Sequence, residues 1–386
     1  MSSLRKICVV ITARPSYSRI KTVLESINQN KNLQLQIVLG GSALLEKYGS
    51  VVDIIENDGF NITEKAFYSI ESTNLTSAPK TTGMAIVEIS SIFAKIKPHI
   101  VITIADRYET IATAIAASYM NITLCHIQGG EVTGNIDEKV RHAITKLSDY
   151  HFVASKDAFQ RVYKLGEYKK TIFNTGCPSI DLASEILKNR DLNFNPYLKY
   201  GGVGSKPIYK KGYWIVMQHP VTTEYMDAKT QIKETLEAVI QHNETVFLFW
   251  PNIDIGSDET SKCIRAFRES KKMKNIHFFK NMEPLDFLKL LFNSKGIIGN
   301  SSVGIRECSF LGTPAINIGT RQTNRVRGKN VIDVDYDKYE ILKAIKKHSS
   351  NRSILRSNTY GNGDAGKRIT DILVKIDLKF NKIIRF

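Results

Sequence analysis

IVITIADRYETIATAIAASYMNITLCH, residues Ile100–His126, decides the fold. Its β-branched run Ile100–Ile104 predicts a strand, Tyr108–Ala117 has helical spacing, and Ile122–His126 predicts a second strand. The same alternation extends outward. Ile7–Ile11, Leu35–Leu39, Tyr150–Ala154 and Thr171–Asn174 read as strands, and Ser18–Ile27, Gly83–Ile96, Glu138–Leu147 and Asp157–Leu165 as helices. Alternating β and α elements imply a parallel sheet wrapped by helices.

After Asp181 the pattern lapses, and the aperiodic stretch Asp191–Gly212 reads as a linker with a mobile loop. Alternation then resumes with strands expected at Tyr213–Met217, Thr245–Trp250, Ile276–Phe279, Gly296–Gly299, Ala315–Ile318 and Val331–Val334. Helices are expected at about Glu224–His242, Glu259–Glu269, Pro284–Asn293 and Val303–Leu311. The fold class is therefore α/β, with two Rossmann-like doubly wound halves facing a central cleft. The expected division is 1–180, 181–365 and a helical tail over 366–386.

At 386 residues the chain suits two domains, and 42% hydrophobic with 24% charged residues is ordinary for a soluble protein. No apolar stretch approaches the roughly 18–20 residues that span a bilayer, so no membrane partner is expected. The run Ile7–Ile11 is too short for a signal peptide. Cys8, Cys125, Cys177, Cys263 and Cys308 form no metal-binding spacing and suggest reduced thiols in the cytoplasm. The net charge of +16 admits a nucleic-acid reading, with Tyr209 and Tyr213 flanking Lys210-Lys211. The runs are short and no binding motif accompanies them. A small polyanion such as a nucleotide diphosphate fits the charge better, and no nucleic-acid partner is expected.

In open parallel sheets ligands sit beyond the carboxyl ends of the strands. Thr12-Ala13-Arg14-Pro15-Ser16-Tyr17-Ser18-Arg19 follows the first strand as a candidate anion cradle; an ordinary capped turn is the competing reading. Asp106-Arg107-Tyr108-Glu109 and Gln128-Gly129-Gly130-Glu131 follow two further strands, the paired glycines permitting a close approach of backbone to ligand. Asp137 and Arg141 share one helix face, Glu138 and His142 the adjoining one. Carboxylates beside arginine or histidine at successive strand ends suit acid–base work, against the common alternative of surface ion pairs. In the second half, Gln218-His219-Pro220 and the loop Trp250–Ser257 follow strands. Gly299-Asn300-Ser301-Ser302-Val303-Gly304-Ile305-Arg306-Glu307 opens a helix with small hydroxyl residues that can hold a diphosphate, or can simply cap it. Arg321 and Arg325-Val326-Arg327-Gly328 add positive charge. Gly361–Lys367 matches GxxxxGK, but Arg368 stands where a phosphate loop has Ser or Thr, and no buried strand precedes it.

Taken in order, these motifs resemble the UDP-N-acetylglucosamine 2-epimerases, and within them the hydrolysing branch that feeds sialic acid synthesis. The resemblance runs from Ala13-Arg14 through Asp106-Arg107, Gly129-Gly130-Glu131, Arg141–Lys146, Pro251–Asp254, Gly299–Ser302 and Arg325–Gly328 to Tyr360–Gly363. It implies the two-Rossmann fold of nucleotide-sugar glycosyltransferases, the tail helix folding back on the first domain. It implies Asp106, Glu131 and Asp137 as acid–base carboxylates, with Arg107, Arg141 and His142 orienting them or the sugar. Arg14, Ser18 and Arg19 would lie at the UDP side, and His219, Asn252, Ser301, Ser302, Glu307 and Arg321 would bind the nucleotide, with His219 counted among the catalytic residues as well. Two positions depart from relatives: Ala105 where Gly is common, and Gln128 where many have Glu.

The implied reaction converts UDP-N-acetylglucosamine and water to N-acetylmannosamine and UDP through a glycal, with no cofactor and no metal. Expected partners are the UDP-sugar and further copies of the chain, as a dimer or tetramer. Four rival readings are a hydrolysing epimerase of a UDP-diacetamido-trideoxyhexose, a non-hydrolysing epimerase, a glycosyltransferase of the same fold, and a non-catalytic nucleotide-sugar binder. The carboxylate cluster exceeds what the last two require.

Overall fold

The structure is a computed structural model that describes residues 4–45, 51–70, 76–104, 107–133, 136–251, 256–270, 273–350, 355–378 and 382–383; of residues 136, 137 and 350 it describes the backbone alone. The chain divides into two compact units, one of Met1–Glu131, Ile136–Asp181 and Tyr360–Phe386, the other of Val132–Asn135 and Leu182–Thr359. The tail from Tyr360 onward thus belongs to the first unit.

Among the described residues, the first unit holds a seven-stranded parallel sheet of β1 (Arg5–Ile11), β2 (Leu33–Gly40), β3 (Ile62–Ala66), β4 (Ile100–Ile104), β5 (Thr123–Ile127), β6 (Tyr150–Val153) and β7 (Ile172–Asn174). The order is β3-β2-β1-β4-β5-β6-β7, so the winding reverses between β1 and β4. Strand alternation assigns each face. Ile7, Val9 and Ile11 pack with Ile20, Val23, Leu24 and Ile27 of α1 (Arg14–Asn28) and with Ile369 and Leu373 of α15 (Ala365–Leu373). Cys8 and Val10 point the other way, towards Ala85, Ile89 and Phe93 of α3 (Ser77–Ile96) and the alanines of α4 (Thr110–Tyr119). A fully buried side chain of this size contributes about 1.5–3 kcal/mol, so these two layers outweigh any single polar contact described below.

The second unit repeats the plan among the described residues. Its sheet runs β14-β13-β12-β9-β10-β11-β8, where β8 is the edge strand Val203–Gly204, with β9 (Trp214–Met217), β10 (Val246–Phe249), β11 (Ile276–Phe279), β12 (Gly296–Gly299), β13 (Ala315–Ile318) and β14 (Val331–Val334) parallel. Here the reversal lies between β9 and β12. Trp214 and Val216 pack with α9 (Ala228–His242), whereas Tyr213 and Ile215 face α11 (Pro284–Phe292).

The stretch 191–212 is not simply a loop. It forms a short helix, Pro196–Tyr200, and a two-residue edge strand, β8 (Val203–Gly204), which pairs antiparallel with β11. His277 holds the turn by contacts to Gly201 O at 2.8 Å and Ser205 O at 2.7 Å. Tyr213 is buried, its hydroxyl donating to Leu290 O, and Tyr209 lies edge-on to it. Tyr213 is therefore core and offers no surface for stacking nucleic-acid bases. The GxxxxGK stretch enters α15 through a turn. The Asp181 carboxylate accepts from the Ala365 and Gly366 N–H groups at 2.9 and 2.7 Å, so the protein's own carboxylate occupies the helix start.

Candidate active site

Each sheet has one switch point, and several candidate residues follow the strands that flank it: Arg14 and Arg107 in the first unit, and His219, Ser301 and Ser302 in the second. In the first unit, β1 runs into α1, which no side chain caps: Ala13 is its N-cap. Arg14 is its first residue; Ser18 turns its hydroxyl back to Arg14 O at 3.5 Å, and Arg19 follows on the same helix. The hydroxyl of Ser18 thus satisfies its own helix. Beyond β4, Asp106 lies outside the described residues. Arg107 donates from Nε to Glu109 Oε1 at 2.7 Å, and its guanidinium sits 5.9 Å from the centre of the Tyr108 ring. Glu109 is buried at the start of α4. Tyr68, just past β3, is buried nearby; burial and then the Glu109 charge push its hydroxyl pKa up. Neither Tyr68 nor Glu109 is among the sequence-predicted site residues, since a tyrosine past an unrecognised strand carries no signal.

Beyond β5 the chain turns through Gln128-Gly129-Gly130 to the buried Glu131. The two glycines are required by the protein's own packing. A Cβ on Gly129 would stand 3.0 Å from His126 Nδ1, and one on Gly130, at φ +74°, would collide with Ala158 O. Gln128 also has positive φ, +66°, and its amide donates to Cys177 Sγ at 2.9 Å, so this side chain is committed to packing. Arg141, on α5 (Ile136–Leu147), is buried and donates to Glu131 O at 2.7 Å, fixing the backbone that carries the carboxylate. His142, half-buried, lies 3.4 Å from Glu138 Oε1. Asp137 belongs to the same helix, but its side chain lies outside the described residues.

In the second unit, His219 follows β9 and Asn300-Ser301-Ser302 follow β12. Gly299, at φ +135°, lets these strands close: any side chain there would strike Met217 O. Asn300 accepts from the His219 N–H at 2.8 Å and donates to His219 O at 2.7 Å, knitting the two loops together. Its own carbonyl accepts from Gln322 at 2.8 Å and Arg321 at 3.3 Å. His219 is buried, and burial, then the Arg321 charge, hold its pKa well below the ordinary value. It is therefore neutral near pH 7.

Ser301 caps α12 (Ser302–Ile305), its hydroxyl accepting from Val303 N at 3.4 Å. That helix has four residues and breaks at Arg306 before α13 (Glu307–Leu311) begins, so its macrodipole is short. Positive charge here comes from side chains. Arg306, buried, donates to Ser302 Oγ at 3.0 Å and stands 3.8 Å from the buried Glu307. Asn300 and Arg306 both escape a reading of the sequence, although each lies inside the quoted motif. Asn252 lies outside the described residues.

The model of the family described as UDP-N-acetylglucosamine 2-epimerase matches residues 25–374. This chain belongs to that family. It is 32% identical over 375 residues to the UDP-N,N'-diacetylbacillosamine 2-epimerase (hydrolyzing) of Legionella pneumophila, covering 97% of each chain. It is 33% identical over 342 residues to the GDP/UDP-N,N'-diacetylbacillosamine 2-epimerase (hydrolyzing) of Campylobacter jejuni, covering 86% of this chain and 84% of that one. The fold matches the crystal structure of UDP-GlcNAc 2-epimerase from Neisseria meningitidis bound to UDP-GlcNAc, with a TM-score of 0.80, 18% identity, and coverage of 96% of this chain and 99% of that one. Two parallel-sheet α/β domains of the glycosyltransferase-B type are thus the family's architecture and this chain's.

Proposed function

We propose that this chain is a hydrolysing 2-epimerase of a UDP-linked 2-acetamido sugar. The observation that carries the reading is the gathering at the β9/β12 switch point: Arg306 on Ser302, Arg321 on Asn300, and a neutral His219 knitted to the same turn. Guanidinium groups and hydroxyls of this kind suit a diphosphate that gains charge as it leaves. Arg14, Arg19 and Arg107 are proposed as further substrate-binding residues, with Ser18, Ser301 and Asn252. Glu307, buried beside Arg306, is proposed to accept from the ribose hydroxyls.

The hydrogen on sugar carbon 2 has no adjacent carbonyl to acidify it, so its removal needs a leaving group. In the proposed first step a carboxylate takes the carbon 2 proton, the C1–O bond to UDP breaks, and a 1,2-glycal forms. In the second, water adds its oxygen to carbon 1 and a proton returns to the other face of carbon 2. Asp106, Glu131 and Asp137 are proposed for the proton transfers, each worth about 10²–10⁴ in rate, with Arg141 and His142 orienting them. A donor aimed at the departing oxygen is worth about 10²–10³.

UDP-N-acetylglucosamine, giving N-acetylmannosamine, is the first substrate to test, from the family's description. UDP-N,N'-diacetylbacillosamine is the second, favoured by the names of two relatives at 32% and 33% identity. Incubating the protein with each sugar nucleotide and resolving the products tests the proposal. Free UDP with the free 2-epimer supports it, and an epimer still bearing UDP points to the non-hydrolysing reaction. We place the protein in the cytoplasm as a homo-oligomer.

A further inference from the structure

The tail after α15 runs along the edge of the first sheet opposite to the site. Arg5, Thr123 and Tyr150 are the first residues of β1, β5 and β6. Arg5 Nη1 donates to Leu373 O at 2.7 Å and Ile376 O at 2.9 Å, the Tyr150 hydroxyl to Asp377 O at 2.9 Å, and the Thr123 hydroxyl to Leu378 O at 3.2 Å. The tail is thus strapped across the amino ends of three strands.

Lys382 completes the strap. Its ammonium donates to Lys146 O and Ser148 O, both at 2.7 Å, with Thr145 O at 3.3 Å, and it pairs with Glu167 Oε2 at 2.7 Å. Lys146 O is one of the end carbonyls of α5, Thr145 O accepts from Ser148 N as well at 3.3 Å, and Ser148 O lies one residue past the helix, where Ser148 and Asp149 stand in place of a capping glycine. A cation there also complements the helix dipole. Glu167 is buried and accepts further bonds from Lys146 Nζ at 2.7 Å and His151 at 3.1 Å. Its charge is therefore fixed beneath the strap.

We infer that Lys382 is a positioning residue for the reaction, acting through α5. Two contacts hold the helix: Arg141, at its middle, to Glu131 O, and Lys382 at its last carbonyls. Twelve residues of helix span about 18 Å, and a packed helix moves as a body. Loosening its far end shifts Arg141, His142 and the Glu131 backbone together. This inference rests on the proposed function for its kinetic half only.

The test compares Lys382→Met and Lys382→Arg with the wild type in three measurements: hydrogen exchange over residues 144–149, kcat and KM for the UDP-sugar, and UDP affinity by calorimetry. Lys382→Met should speed exchange there and lower kcat by about 3- to 30-fold, while UDP affinity stays within about twofold because none of the residues proposed to hold the nucleotide lies on α5. Lys382→Arg should restore most of both. Unchanged exchange in Lys382→Met overturns the inference, as does faster exchange with wild-type kcat. A wild-type chain without turnover would sink the proposed function, and the exchange comparison would still decide whether Lys382 fixes α5.

Discussion

Asn300 and His219 exchange two hydrogen bonds, the His219 N–H donating to Asn300 Oδ1 and Asn300 Nδ2 donating to His219 O. A buried side-chain amide thus acts as a short piece of β-ladder between the two loops that leave the switch point of the second sheet. Both loops carry residues proposed to hold the diphosphate, so their spacing is set by this pair.

Asn300→Ala should weaken UDP binding by about 10-fold or more, since two buried backbone groups lose partners at a cost of about 1–3 kcal/mol each. Asn300→Asp should not rescue it, because a carboxylate would face the His219 carbonyl it cannot donate to. Calorimetric titration with UDP checks both. Affinity within twofold of wild type in either variant would contradict the role.

The close approach of β9 and β12 makes a second prediction. Gly299→Ala must place a Cβ against Met217 O at a φ of +135°, and should cost more than about 2 kcal/mol. Gly83, in the middle of α3, has open space around it and should accept alanine with a gain of about 0.5–1 kcal/mol. Urea unfolding of the two variants should move in opposite directions from the wild type.

Stability should fall with acid in two stages. Burial keeps His219 and His151 below their ordinary value of 6.5, so the unfolded chain binds more protons as pH drops below that value, and stability is lost there. Glu167 is the opposite case. Burial would raise it, but His151, Lys146 and Lys382 hold it at about 2, so its contribution is complete above 4.5 and fades between 4.5 and 2. Urea midpoints measured from pH 8 to 3 should be flat above 7 and decline below 6.5. A midpoint that rises between pH 6.5 and 5 would contradict the assignment.

Asp181 holds the start of α15 and also accepts from Thr22 Oγ1 at 3.0 Å. Asp181→Ala should lower stability by about 1–2 kcal/mol through the lost cap. It should leave ATP unbound at the Gly361–Lys367 turn, which an equilibrium titration with ATP would verify.

The parallel sheets were legible because runs such as Ile100–Ile104 and Val246–Phe249 carry no charge and are buried at every position, as strands covered on both faces are. β3 was missed since Ile62-Thr63-Glu64-Lys65-Ala66 is a half-exposed edge with polar alternation, and β8 since two residues, one a glycine, leave no pattern. Local residue type located the switch-point loops. Their internal commitments were not legible, because they span the chain: Asn300 reaches 81 residues back to His219, Gln128 reaches 49 forward to Cys177, and Lys382 reaches 234 back to Ser148. Gly129 and Gly130 illustrate the same limit. Glycine announces a close approach but not what approaches, and here it is His126 and Ala158.

The proposed chemistry demands that UDP leave and the carbon 2 proton exchange in one turnover. Incubation of the purified protein with UDP-N-acetylglucosamine, and separately with UDP-N,N'-diacetylbacillosamine, in D₂O measures both at once. The account predicts, for one of them, free UDP and a free 2-epimer with one deuterium at carbon 2. A product that keeps its UDP, or a free epimer with no deuterium at carbon 2, would contradict it.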